Sequence, residues 1–176
     1  MKTLPYALAK PCLIFGLVSL VYASSGIAAD LSMADKHFIE NAAQAGKAEI
    51  AASELAKTKS KNPEVLKFAN TMITDHKKAY SELSDLAKQK GVEIPTEPSL
   101  VQKGKAKLLE SKDGKDFDEA YAEEIGVAAH EDAVKLFDET SKEADDADVK
   151  KLASKTLPTL QHHLAEARNL QRKVKK

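Results

Sequence analysis

Four long stretches of this chain carry apolar side chains at alternating spacings of three and four: about Met33 to Ser60, Pro63 to Lys90, Asp116 to Glu143, and a last one running from the acidic segment 144–148 to about Lys173. That period lines one face of a helix, whereas a half-buried strand would alternate at every residue. Each stripe must be covered by another element, and the simplest mutual cover for four of them is a bundle. Ala, Lys, Glu and Leu are abundant, Trp is absent, and no alternating Val/Ile/Thr run argues for a strand. The predicted fold class is all-α.

The boundaries follow from capping chemistry. Asn62-Pro63 reads as an N-cap followed by a proline at the first helical position, and Gly91 as the left-handed stop after the second helix. Pro95 and Pro98 keep the next residues out of regular helix. A short helix from about Ser99 to Ser111 and a turn at Lys112–Lys115 complete a long connection to the third helix. The fourth ends in basic residues, as the helix dipole favours, and contains Pro158, which removes one backbone donor and is expected to kink it.

A polar residue on an apolar stripe must point into the bundle, and each helix has one. The first stripe reads Phe38, Ala42, Ala45, Glu49, Ala52, Ala56; the second reads Val65, Ala69, Met72, His76, Ala79, Leu83, Leu86. The third reads Ala120, Glu123, Val127, His130, Val134, Phe137, and the fourth Thr156, Leu160, His163, Ala167, Leu170, Val174. Glu49, His76, His130 and His163 lie near the middle of their helices, so they meet at one level whether the second and third helices run parallel or antiparallel. Three imidazoles and a carboxylate from four helices are the donors with which bundles hold metals, and one Zn, Fe, Cu or Mn ion is acceptable to them. A hydrogen-bonded polar layer without metal satisfies the same burial.

Other polar residues carry less. Glu123, on the third stripe, would reach a second ion or pair with a neighbour. Asp75 and Glu131 adjoin histidines, but adjacent helical residues face different ways, so they would at best support the ligands. His37 and His162 read as surface residues, and Tyr80 and Tyr121 as core aromatics with hydrogen-bonded hydroxyls.

The first residues differ in kind. Lys2 and Lys10 precede an apolar run, Cys12–Ala23, and then a small-residue stretch ending at Ala29. This is the layout of a secretory signal peptide over residues 1–29, cleaved after Ala28 or Ala29, leaving one domain over residues 30–176. The apolar run is shorter than the roughly 20 residues that cross a bilayer, and Lys10-Pro11 before Cys12 does not suit a lipidated cysteine. Export to the periplasm, or another extracytoplasmic location, is expected. Cys12 is the sole cysteine, so the remaining domain has neither a disulfide nor a thiolate ligand. It keeps 25 basic against 27 acidic residues, a formal charge near −2 that gives no sign of nucleic-acid binding. No transmembrane segment follows the leader.

Glu49, the run Phe68–His76, the run Phe117–Tyr121, His130 and the run Thr156–Leu164 together resemble the ferritin-like family of exported bacterial proteins catalogued as domain of unknown function 4142. The resemblance spans about Asp35 to Leu170. It implies a ferritin-like four-helix bundle, with the family's histidine positions on His76, His130 and His163. Members are often labelled outer membrane proteins, a label that fits neither a spanning helix nor the alternating strands of a barrel here. A di-iron centre takes a Glu-x-x-His pair from each of two helices, but Ile73, Val127 and Leu160 stand three residues before the three histidines. Di-iron oxygen chemistry is therefore disfavoured.

Two functions compete. One is an extracytoplasmic bundle holding one transition-metal ion at Glu49, His76, His130 and His163, for storage, buffering or modest redox protection. The other is a non-catalytic envelope protein, acting in stress tolerance or partner binding, in which those residues only organise the core. An enzyme is the least supported reading, because no serine, cysteine or carboxylate constellation of a catalytic kind is found. A homodimer or an envelope protein partner would use spare apolar faces such as those of Ile39 and Leu55.

Overall fold

The computed structural model describes residues 31–176. The expected leader, its cleavage site and Cys12 lie outside the described residues. The elements are α1 (Met33–Lys59), α2 (Pro63–Gln89), the short α3 (Leu100–Glu110), α4 (Gly114–Ala120), a π-helical segment (Tyr121–Ala128), α5 (Ala129–Glu143) and α6 (Ala147–Val174). α4, the π segment and α5 follow without a break and form the third long helix, residues 114–143. Among the described residues there is no strand, as the periodicity predicts.

Side chains and backbone supply the stops. The Ser32 hydroxyl accepts from Asp35 N–H, the Asn62 side chain from Glu64 N–H ahead of Pro63, and Asp146 from the N–H groups of Asp148 and Val149. Gly91 has φ +68°, the left-handed conformation that glycine adopts without a Cβ penalty, and ends α2 where expected. Ser99 and Gln102 form a reciprocal capping box that starts α3. α6 runs on through Pro158.

Cross-helix contacts settle the topology. α6 runs antiparallel to α2, since Glu64 pairs with Lys173, Glu82 with Lys155 and Lys90 with Asp146. The third helix runs antiparallel to α1, with Ser53 against Tyr121 and Phe38 against Phe137. Neighbours around the bundle are thus antiparallel, and α2 and the third helix are parallel. A connection the length of the bundle is then required, and residues 90–113 with α3 supply it; one such crossover is what ferritin-like bundles have. At the end where it starts, Asp35 accepts from Asp146 N–H and Lys90 bonds both Asp146 and Asp148. At the other, Lys59 binds the carbonyls of Glu110 and Lys112 and the Asp113 carboxylate.

The third helix departs from expectation. It begins at Gly114, where φ +52° again uses glycine, rather than at Asp116. Its buried residues are Phe117, Tyr121, Gly126, His130 and Ala133, with Ala122 and Asp118 beside them. The step of five from Tyr121 to Gly126 is the π segment, a wider turn that a strict three-four stripe cannot follow. Glu123 consequently faces solvent, where of its two expected roles it takes the pairing with a neighbour, Lys175, at 3.0 Å. Ile39 is fully buried in one apolar block and offers no spare face, while the half-buried Leu55 packs against the other block.

The apolar core falls into two blocks. One contains Phe68, Met72, Phe117, Tyr121 and Leu170; the other contains Phe38, Ile39, Leu83, Leu86 and Val149. Where the π segment crosses α6, a Cβ built on Gly126 would lie 3.1 Å from the Ala167 Cβ and 3.7 Å from Phe68. Gly126→Val should therefore lower stability by about 1–3 kcal/mol through overpacking, read as a lower urea midpoint at unchanged slope.

Candidate metal centre

Between the two apolar blocks lies a polar layer. His76 from α2, His130 from the first turn of α5, and His163 from α6 are buried there with Glu49 from α1. The three imidazole centroids are 5.5 Å apart in every pairing. One ring nitrogen from each lies within 4.8 Å of the others, close enough for one ion to gather all three. Among the described residues, no other trio of His, Cys, Asp or Glu side chains does this.

Each ring is held from behind by an oxygen. His76 Nδ1 donates to Glu49 Oε2 at 2.9 Å, His163 Nε2 to Asp75 Oδ2 at 3.0 Å, and His130 Nδ1 to the Ile125 carbonyl at 3.1 Å. A nitrogen facing such an acceptor carries the proton, so the opposite nitrogen of the neutral ring presents its lone pair. Those opposite nitrogens, His76 Nε2, His130 Nε2 and His163 Nδ1, are buried without a hydrogen-bond partner. Imidazole–oxygen pairs of this kind orient rings and raise their basicity in metal sites.

The Ile125 acceptor comes from the π segment. Ala129 N–H bonds Glu124 O, five residues back, and closes that ladder. Where four-residue bonding resumes, one carbonyl is skipped. Ile125 is next in line, and its oxygen is the one that His130 Nδ1 meets. The irregular turn thus brings His130 onto the site level and supplies the acceptor that orients its ring.

The carboxylate does not stand among the converging nitrogens. Glu49 lies behind His76, and its second oxygen, Oε1, is buried without a partner, 3.8 Å from His130 Nδ1. Burial pushes its carboxyl pKa up, but the charges of His76, His130 and His163 and the His76 hydrogen bond prevail and hold it below the usual value. For His76, burial lowers the pKa, yet Glu49, through charge and hydrogen bond, raises it above the ordinary imidazole value. His163 goes the other way: burial and the two neighbouring rings outweigh Asp75 and lower it.

The remaining candidates divide plainly. Asp75 adjoins His76 in sequence but serves His163 across the α2–α6 interface. Glu131 pairs with Arg168 on the surface. His37 and His162 are exposed, His162 lying 3.7 Å from Glu166. The Tyr121 hydroxyl meets Ser53 at 2.8 Å, and that of Tyr80 donates to the Pro95 carbonyl.

A family model described as Domain of unknown function (DUF4142) matches residues 22–170. No curated protein matches. Among solved structures, a DUF305 fragment from Deinococcus radiodurans superposes with a TM-score of 0.71 at 12% identity, covering 81% of this chain and 98% of that one. A DUF305 protein from Streptomyces coelicolor gives 0.67 at 14% identity, covering 80% and 93%. CopM in its Cu(I)-bound form gives 0.65 at 18% identity, covering 79% and 96%. At these identities the likeness is one of fold.

The opposed shifts of Glu49 and His76 define a window. Glu49 is ionised above its lowered pKa, and its contribution is lost as pH falls through that value; His76 is protonated below its raised pKa, and its contribution is lost as pH rises through it. Between the reference values of 4.5 and 6.5 the metal-free pair is fully charged. Glu49→Gln should lower the His76 pKa in an NMR titration of metal-free protein. It should also destabilise that protein more inside the window than at alkaline pH.

Proposed function

The chain belongs to the DUF4142 family, and from that premise we propose that it is an extracytoplasmic protein whose bundle core binds one transition-metal ion through His76, His130 and His163. The observation that carries this reading is the set of three buried imidazole nitrogens left without a partner while the other nitrogen of every ring is bonded. A metal-free polar layer would bond its rings to one another. Here each ring bonds an oxygen instead, which favours an ion for the remaining nitrogens. The fit is to the donor set itself: neutral imidazoles suit copper, zinc or iron, whereas Mn prefers the oxygen donors that do not face this centre.

Copper is the first choice and zinc the second. Copper(II) stands highest in the affinity order of divalent first-row ions, and a bundle of similar fold is known in Cu(I)- and Cu(II)-bound forms. Bound here, the ion would supply positive charge in a shielded core, and copper would add redox capacity. The residues themselves orient: Glu49 and Asp75 set the tautomers of His76 and His163, and the Ile125 carbonyl that of His130. Storage or buffering suits such a centre better than catalysis. The signal-peptide layout of residues 1–29 supports export, and among the described residues no helix is long and apolar enough to cross a membrane.

Mature protein purified untagged from its native compartment should carry near-stoichiometric copper or zinc by elemental mass spectrometry. His130→Ala and His163→Ala should abolish it, and Asp75→Asn should weaken affinity by about 10–100-fold. Adding the preferred ion at about 100 times its Kd should stabilise the wild type by about 2.7 kcal/mol and leave the His130→Ala, His163→Ala double variant unmoved. Wild-type protein that takes up none of Cu, Zn, Fe or Mn would leave the residues as core packing alone.

A further inference from the structure

A groove of about 380 Å³ runs along the bundle between α1 and the third helix, beneath the crossover helix α3. It exists because the facing walls are methyl groups: Ala45, Ala48 and Ala52 on α1 oppose Ala129 and Ala133 on α5, and side chains this short cannot bridge the gap. The buried Glu49 is part of its lining. The same residue lines a second, partly open cavity of about 40 Å³ that is bordered by His76. Ala45, Ala133 and Phe137 are common to both spaces, so Glu49 stands where the groove meets the interior. The inner cavity exceeds the roughly 10–15 Å³ that one water-sized occupant needs.

Resting on the metal reading above, we propose that this groove is the route by which the ion reaches the three histidines, with Glu49 as the carboxylate that receives it at the inner end. Glu49 Oε1 is buried and unpartnered, although the other oxygen of the same group holds His76. An unsatisfied buried carboxylate oxygen is costly, and a cation arriving from the groove would satisfy it. Charge along the way is favourable: the exposed Glu124 and Asp132 line the groove against a single cation, Lys105. Such a field raises the local concentration of cations.

The competing approach lies between α2 and α6, where the Asp75 side chain is 40% exposed. It is less suited. Lys78 and Lys155 line that surface alongside Asp75 and Glu82, so two cations offset its two carboxylates and it offers an arriving cation no net negative charge.

The test is the rate at which metal-free protein takes up Cu(II) from a weakly chelating glycine buffer, followed by stopped-flow absorption, alongside the equilibrium affinity. Ala48→Phe and Ala129→Phe, which fill the groove from opposite walls, should slow uptake by about tenfold or more at nearly unchanged affinity. Thr159→Phe, on the α2–α6 side, should leave the rate unaltered. Glu124→Gln with Asp132→Asn, both at exposed positions that tolerate exchange, should slow uptake and flatten its dependence on ionic strength. Normal affinity with the same rate in every variant would overturn the route and indicate entry by opening of the bundle. Slowing by Thr159→Phe alone would move the route to the Asp75 side. A wild type that binds no Cu(II) at all would overturn the metal reading, and this route with it.

Discussion

Three imidazoles buried in an apolar core can be stable only if their polar atoms are answered, and this requirement organises the molecule. Each buried nitrogen left without a partner costs about 1–3 kcal/mol. The fold answers one nitrogen per ring with Glu49, Asp75 or the Ile125 carbonyl, and leaves the other three buried without a partner. Packing cannot remove that debt, because two apolar blocks enclose the layer from either end. An ion at the centre would turn the most costly feature of the core into its strongest link.

The bundle is built to hold that layer level. Capped starts at Ser32, Asn62 and Asp146 set the phase of α1, α2 and α6, and the ionic contacts between α2 and α6 run the length of that interface. Exposed pairs of this kind add little stability singly, but they fix which turn faces which. The end tied by Asp35, Lys90 and Asp146 and the end tied by Lys59 keep the long crossover against the bundle. α3 therefore lies over α1 with Leu109 buried beneath it.

Much of this was legible in the sequence because a helix repeats. Phe38, Ala42, Glu49 and Ala52 share a face by spacing alone, as do Val65, Ala69, Met72 and His76, and the structure buries all of them. Asn62-Pro63 and Gly91 mark boundaries through local chemistry, which needs no tertiary knowledge. Legibility ended where the cause was not local. Asp75 serves a ring on another helix, and nothing in the order of residues says so. The Ile125 carbonyl belongs to the backbone and has no letter of its own. Glu49 was placed in the right layer, but whether a carboxylate faces the centre or supports a ring depends on an orientation that periodicity does not encode. The third stripe misled at Glu123 because it assumed a constant turn.

That change of turn is, in effect, an insertion without a loop. A π segment accommodates one residue more than a regular helix of the same rise would, and it hides the extra residue inside an unbroken element. Within residues 121–128 the chain shifts its reading frame relative to the bundle: Phe117 and Tyr121 are in one phase, His130 and Ala133 in the next. A relative whose third helix is regular would align with this chain only through a one-residue gap in that stretch. An alignment that forbids gaps inside helices would set His130 against the neighbour of its true counterpart, and the third buried histidine would vanish from the comparison while still present in the protein.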